Sequence, residues 1–176
     1  MDWFEPAKNV WTYRDYRDVA NSMAVAFTSL PRTVRGIAGQ NPEFGWWGRG
    51  LSEDTRSLLE RIVAKGPDAH TSAALLWYLR NRLFFQRGLD RDERVLLIRY
   101  EDLVTDPENE RAQVTAFSGI PFTPRLRRGI HPQSIGRRPE PELEPEVREA
   151  CQGLMAAFEE SRTVAPAIGG PDGRRD

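Results

Sequence analysis

Residues 9–22 read Asn9-Val10-Trp11-Thr12-Tyr13-Arg14-Asp15-Tyr16-Arg17-Asp18-Val19-Ala20-Asn21-Ser22, and the hydrophobic period changes partway along them. From Lys8 to Tyr13 the run is β-branched and aromatic, which predicts a buried strand. After the polar turn Arg14–Asp18, Val19, Met23, Ala26 and Phe27 fall on one helical stripe. This predicts a helix over 19–30, with Asp15 and Asp18 capping or populating its first turn and Pro31 closing it. A strand feeding a helix through a tight turn is the unit of an α/β fold, and a second such unit would build a parallel sheet.

That second unit lies downstream. Arg94 to Tyr100 reads as a strand, and its Val95-Leu96-Leu97-Ile98 run fits a parallel strand covered on both faces. Asp106-Pro107 then places an N-cap before a proline at the first helical position, opening a helix with Val114 and Phe117 inward that ends at Gly119. Between the two units, Arg32 to Leu51 loses periodicity and gains five glycines, so a long loop is expected there. Ser52 starts a helix to about Lys65 on Leu58, Leu59, Ile62 and Val63. Asp68 opens a longer one to about Arg87, with Gly88 just past its end. In that helix Trp77 and Tyr78 flank the Leu75–Leu83 stripe, which implies cover on more than one side. Pro121–Pro132 and Ser134–Arg138 read as basic loops. Pro145 starts a last helix with Val147, Leu154 and Phe158 inward, and the tail from Pro166 is expected to be disordered.

Composition narrows the function. A chain of 176 residues holds one domain with a real core. The formal net charge of −1 argues against a nucleic-acid footprint, so any anion must be gripped locally. One cysteine, Cys151, excludes an internal disulfide, and His70 and His131 do not suggest a metal cluster. The first residues lack the apolar core of a signal peptide, and no apolar run reaches the roughly 18 residues of a membrane span. The expected address is the cytoplasm. Cys151 reads as a small core residue, His70 as a surface or capping residue near a helix start, and His131 as structural.

In an open α/β sheet, ligands sit beyond the carboxyl ends of the strands. Arg14 and Tyr100 both lie there, so they share a crevice if the strands are neighbours. Arg14 and Ser22 suit a phosphate clamp, a planar fork of donors plus a hydroxyl, assisted by the partial charge of the helix N-terminus. Spacing alone equally allows Arg14 to pair with Asp15 or Asp18 and Ser22 to bond back within its helix. The Trp46-Trp47 pair either lines a ligand pocket or anchors its loop on the core.

The stretch Tyr13–Ser22 resembles the 3′-phosphate-binding motif of sulfotransferases that use 3′-phosphoadenosine 5′-phosphosulfate (PAPS): an arginine after a strand, an Asp-x-x-Asp-Val turn, and a serine eight residues after the arginine. Ile98-Arg99-Tyr100-Glu101-Asp102-Leu103, with Asp106-Pro107 and Phe117-Ser118-Gly119-Ile120, resembles the family's Tyr-Glu-Asp-Leu strand and following helix. Ser134-Ile135-Gly136-Arg137-Arg138 resembles its late glycine-basic loop. These blocks cover about residues 8–160 in family order. The resemblance implies a P-loop-NTPase-like, three-layer α/β domain over 1–165 and transfer of a sulfuryl group from PAPS to a hydroxyl or amine on a small-molecule or glycan acceptor, without a metal. It implies that Arg14 and Ser22 hold the 3′-phosphate, Tyr100 meets the adenine region, and Gly136 and Arg137, with Arg138 as a further candidate, return to the phosphate from the other side.

The chain also departs from the pattern. Only seven residues precede Lys8, and they hold no Pro-Lys-Ser-Gly-Thr type loop for the 5′-phosphosulfate. The expectation is therefore an N-terminally truncated domain in which no catalytic residue can be named. Glu101 and Asp102 are expected to bind neighbouring backbone and side chains and not to act as acid and base. The alternatives are a non-catalytic remnant that binds PAPS or the desulfated nucleotide, and a structural or interaction protein.

Overall fold

The computed structural model describes residues 7–121, 133 and 135–164. The basic segment with Arg125, Arg127, Arg128 and His131, as well as Ser134 and the tail from Pro166, lies outside them.

The two expected strands form, as β1 (Asn9–Tyr13) and β2 (Val95–Arg99), and they pair directly and in parallel, Asn9 opposite Val95 through Tyr13 opposite Arg99. Alternation sends Trp11 and Tyr13 of β1 to the same face as Val95 and Leu97 of β2. There Trp11 lies 5.5 Å from Phe84 and Tyr13 stacks on Phe158 at 4.4 Å. Double cover of the sheet is not what the structure shows. On the opposite face Ile98 is buried, and the short helices after β2 pack against that strand, but Val10 is 40% exposed and Thr12 is exposed. Half-burial, and not full burial, is enough to keep the Val95–Leu97 run apolar. The architecture is α/β, a small parallel sheet among many helices.

Helix α1 (Tyr16–Ala26) begins three residues earlier than the periodicity suggests, because the Asp15 carboxylate accepts the Arg17 amide at 2.8 Å and so sets the N-cap. It ends well before Pro31. That proline starts the next helix, α2 (Leu30–Ala38), where its missing N–H costs nothing. The expected long loop over 32–51 is therefore wrong. It holds α2, a 3₁₀ turn at Pro42–Phe44 and the short α3 (Gly45–Gly48). Leu30, Val34 and Ile37 recur at helical spacing and are all buried, a stripe that the glycines around it conceal. Gly36 sits inside α2 because the Phe44 ring lies against it. A Cβ there would come within 2.1 Å of Phe44 Cδ2.

The remaining helices fall close to expectation: α4 (Glu53–Ala64), α5 (Ala69–Gln86), α7 (Pro107–Ser118) and α8 (Pro145–Val164). Asp68 caps α5 through Thr71 N at 2.7 Å, and Asp106 caps α7 through Asn109 N at 3.3 Å. Gly88 and Gly119 follow α5 and α7 with φ of 66° and 72°, the left-handed conformation that glycine adopts without strain. Tyr100 does not end the strand but opens the short α6 (Tyr100–Thr105). Helix α5 is the centre of the molecule, buried continuously from Thr71 to Leu79, with α1, α2 and α8 against it. Val147, Cys151, Leu154 and Phe158 form the buried stripe of α8. The Cys151 thiol lies 3.5 Å from Ala74 O, and burial pushes its pKa up, so it is an inert core group.

Gly36→Ala tests the α2–Phe44 contact against helix propensity. Propensity alone favours alanine by about 1 kcal/mol, whereas displacing a packed ring costs about 1–3 kcal/mol. The variant should lose stability in urea denaturation, and Gly36→Ala combined with Phe44→Leu should recover part of the loss.

Candidate functional site

Because Tyr13 pairs with Arg99, the next residues, Arg14 and Tyr100, leave the sheet side by side. The Arg14 guanidinium carbon lies 4.7 Å from the centre of the Tyr100 ring, a cation–π contact that orients the guanidinium. The backbone here is pinned as well: Trp77 Nε1 donates to Arg14 O at 3.0 Å, and Asp15 N donates to Glu101 Oε1 at 3.0 Å. Glu101 is buried, and its other oxygen accepts Arg99 Nε at 3.2 Å. It thus joins the two strand ends as a structural carboxylate. Asp102 pairs with Arg162 Nη2 at 2.6 Å.

Helix α1 presents Asp18, Asn21, Ser22, Val25 and Ala26 along one side, at spacings that stack on a helix face. Residues 135–139 lie across them. Gly136, at φ 58°, turns its amide to both Asp18 carboxylate oxygens at 3.2 and 3.1 Å. Arg138 Nη1 donates to Asn21 O at 2.8 Å, and Asn21 Nδ2 donates to Pro139 O at 3.0 Å. Between helix and loop lies a cavity of about 290 Å³, lined also by Arg14, Arg137 and Arg138. Among the described residues three guanidiniums face it with the carboxylate of Asp18, which lies 3.5 Å from Arg14 Nη2. Such a hollow favours a compact polyanion, to which arginines offer forked, charge-assisted donors.

A model of the sulfotransferase domain matches residues 2–135. The chain belongs to the sulfotransferase family. No curated protein and no solved structure matches it. By homology this sulfotransferase is a group-transferring enzyme.

The structure brings Arg14, Ser22, Arg137 and Arg138 of this sulfotransferase to one cavity, and it treats the other two expected residues differently. Tyr100 does not line the cavity but stacks on Arg14. The Gly136 amide goes to Asp18, so this glycine shapes the loop that carries Arg137. Arg14 pairs with Asp18 and also lines the cavity. Asp15 pairs instead with Arg17 at 2.6 Å. Burial raises its pKa, but the Arg17 side-chain and backbone hydrogen bonds outweigh that and hold it below the usual carboxylate range. The expected electrostatic help from the α1 N-terminus is taken up by this same carboxylate, because the cavity lies along the side of the helix. Ser22 is exposed, and its hydroxyl makes no hydrogen bond among the described residues.

Sequence reasoning missed Asn21. It is buried at 7% exposure and ties the loop to α1 at both ends of its residue, side-chain amide and backbone carbonyl. A polar residue one position before Ser22, on the stripe of Asp18, was the available signal. Trp47 packs against the core beneath Arg80, as a loop anchor does. Among the described residues no group of histidine, cysteine and acidic side chains is placed to hold a metal, and no helix is long and apolar enough to cross a membrane.

Asn21→Ala should cost about 0.5–1.5 kcal/mol through the lost hydrogen bond to Pro139 O. Hydrogen exchange should rise selectively at residues 135–139 while α1 stays protected. Uniform exchange across both segments would contradict this tie.

Proposed function

We propose that the cavity between α1 and residues 135–139 binds the 3′-phosphate of PAPS, and that the enzyme transfers the sulfuryl group of that nucleotide to a hydroxyl or amine acceptor. The reading rests on the convergence of Arg14, Ser22 and Arg137 on one hollow from two stretches of chain more than a hundred residues apart. A phosphate monoester carries close to two negative charges at neutral pH, and the arginines among the described lining residues suit such a charge. Arg14 is oriented before any ligand arrives, by Tyr100 on its face and Trp77 on its carbonyl, so little side-chain entropy is lost on binding. The Ser22 hydroxyl adds a neutral donor on the helix side.

In this account the residues named are anchors. They hold one end of the nucleotide so that the phosphosulfate end is delivered in a fixed position, which is where orientation lowers the barrier. Transfer then forms a bond from the acceptor oxygen or nitrogen to sulfur and breaks the bond from sulfur to the bridging oxygen, with adenosine 3′,5′-bisphosphate as leaving group and the acceptor's O–H or N–H proton released to solvent. The acceptor is a small molecule or a glycan. The three-layer, P-loop-like arrangement of the family is the frame in which this cavity takes the 3′ end.

Thermal shift with adenosine 3′,5′-bisphosphate tests the reading. At a hundredfold excess over Kd, binding stabilises the fold by about 2.7 kcal/mol, roughly 5–10 °C for a chain of this size. Arg14→Ala should abolish the shift and Ser22→Ala should weaken affinity about threefold to tenfold, the worth of one hydrogen bond. Arg17→Ala, whose partner Asp15 lies outside the cavity, should keep it. An unchanged melting temperature for the wild-type chain at saturating nucleotide would overturn the proposal.

A further inference from the structure

A second concavity lies elsewhere, between α5 and α8, and shares no residue with the first. The two helices run in the same direction: Thr71 meets Glu144, Ala74 meets Cys151, and Phe85 meets Phe158. Along the groove α8 offers Ala150, Gly153 and Ala157, at spacings that place small residues on one face. With no bulk there, the helices leave an opening of about 530 Å³, floored by Phe85 and Leu154. That is within the roughly 300–1,000 Å³ of small-molecule sites.

Small residues alone leave only a dent. The wall opposite them carries the decisive feature, Arg82, which is half-buried yet meets no carboxylate among the described residues. Its Nη1 donates to the Tyr78 hydroxyl at 3.0 Å, and the guanidinium lies 5.7 Å from the Tyr78 ring centre. Its Nε is buried and has no partner among the described residues. With Nη1 on Tyr78 and Nε enclosed by protein, Nη2 is the nitrogen left to donate to an anion in the groove. One turn on, Gln86 donates Nε2 to Ser52 Oγ at 2.9 Å and leaves its own Oε1 buried without a donor. A rotation letting Arg82 Nε donate to that oxygen would still leave Nη2 and the whole positive charge uncompensated. A half-desolvated cation beside an apolar trough attracts a ligand with both characters.

We propose that the α5–α8 groove binds a small apolar molecule bearing one carboxylate or sulfate-ester head, with the head on Nη2 of Arg82 and the body lying over Gly153. The occupant is chosen by charge: the groove supplies one cation, an apolar floor and no acidic residue among its lining. The proposal is independent of the nucleotide reading, because no residue is common to the two sites.

The test is calorimetric titration of the full chain with octanoate, octyl sulfate below its micelle-forming concentration, and octan-1-ol as the neutral control. The anions should bind at least tenfold tighter than octanol. The stronger of the two identifies the head: octanoate a carboxylate, octyl sulfate a sulfate ester. Arg82→Gln, which keeps a donor for Tyr78, should remove that preference. Gly153→Leu is a second variant that does not depend on the first. An added Cβ at Gly153 meets no heavy atom within 4 Å, so the side chain enters the groove without a clash. It should abolish binding while the melting temperature holds or rises. Absence of binding by both anions, octanol binding as tightly, or undiminished anion binding by both variants would each overturn the proposal.

Discussion

A register one residue off between β1 and β2 would undo the cavity that Arg14 lines. Parallel pairing with Tyr13 opposite Arg99 sends Tyr13 into the helical layer, onto Phe158, and lets Arg14 emerge beside Tyr100 at the strand ends. Shifting β1 by one position would turn its side chains to the other face, Arg14 into the apolar layer and Tyr13 out of it. Two parallel strands cannot hold such a register by their own hydrogen bonds. It is held from outside by aromatic packing: Trp11 and Tyr13 are wedged against Phe84 and Phe158, and Phe84, Phe85 and Phe158 contact one another.

Charge then secures the strand ends. Glu101 receives Asp15 N and Arg99 Nε, linking the exit of β1 to the exit of β2. Tyr13 donates to Glu159 at 2.8 Å, and burial followed by that carboxylate raises the phenol pKa, so it remains a donor. Glu159 also lies 3.5 Å from Arg99 and 3.7 Å from Arg162, and Arg162 reaches back to Asp102 on α6. Helix α8 is thereby tied to both strands. These ties are partly exposed and each adds little stability alone. Their effect is geometric, since they hold Arg14 and Tyr100 in one arrangement before any ligand binds. The cavity next to them depends on a second, weaker attachment, the Asp18 and Asn21 contacts to residues 135–139.

Much of this was legible in the chain because the relevant signals are local. The period change around Arg14, the Asp68 and Asp106 caps, and the glycines after α5 and α7 each specify a boundary within a few residues. The Arg14–Ser22 spacing placed two cavity residues on a strand end and a helix side. What failed depended on tertiary context. Gly36 looked like a breaker, yet Phe44 packs where its side chain would be. Pro31 looked like a stop and was a start, since proline is equally suited to either side of a helix boundary. Double cover of the sheet was inferred from an apolar run, which reports burial on one face as readily as on two. The Gly136–Asp18 bond joins residues 118 apart in sequence, a separation that no local pattern encodes.

The claim at the centre is that the Arg14 guanidinium at the end of β1 and those on the loop around Arg137 hold a terminal phosphate. Phosphorus NMR of bound adenosine 3′,5′-bisphosphate reads this directly, because its two phosphates resolve. Nearby cations favour the dianion, so the account predicts that the 3′-phosphate pKa falls on binding to the wild-type chain and returns toward its free value in Arg14→Ala. A bound nucleotide whose 3′-phosphate titrates as it does in water, or whose titration is the same in Arg14→Ala, would contradict it.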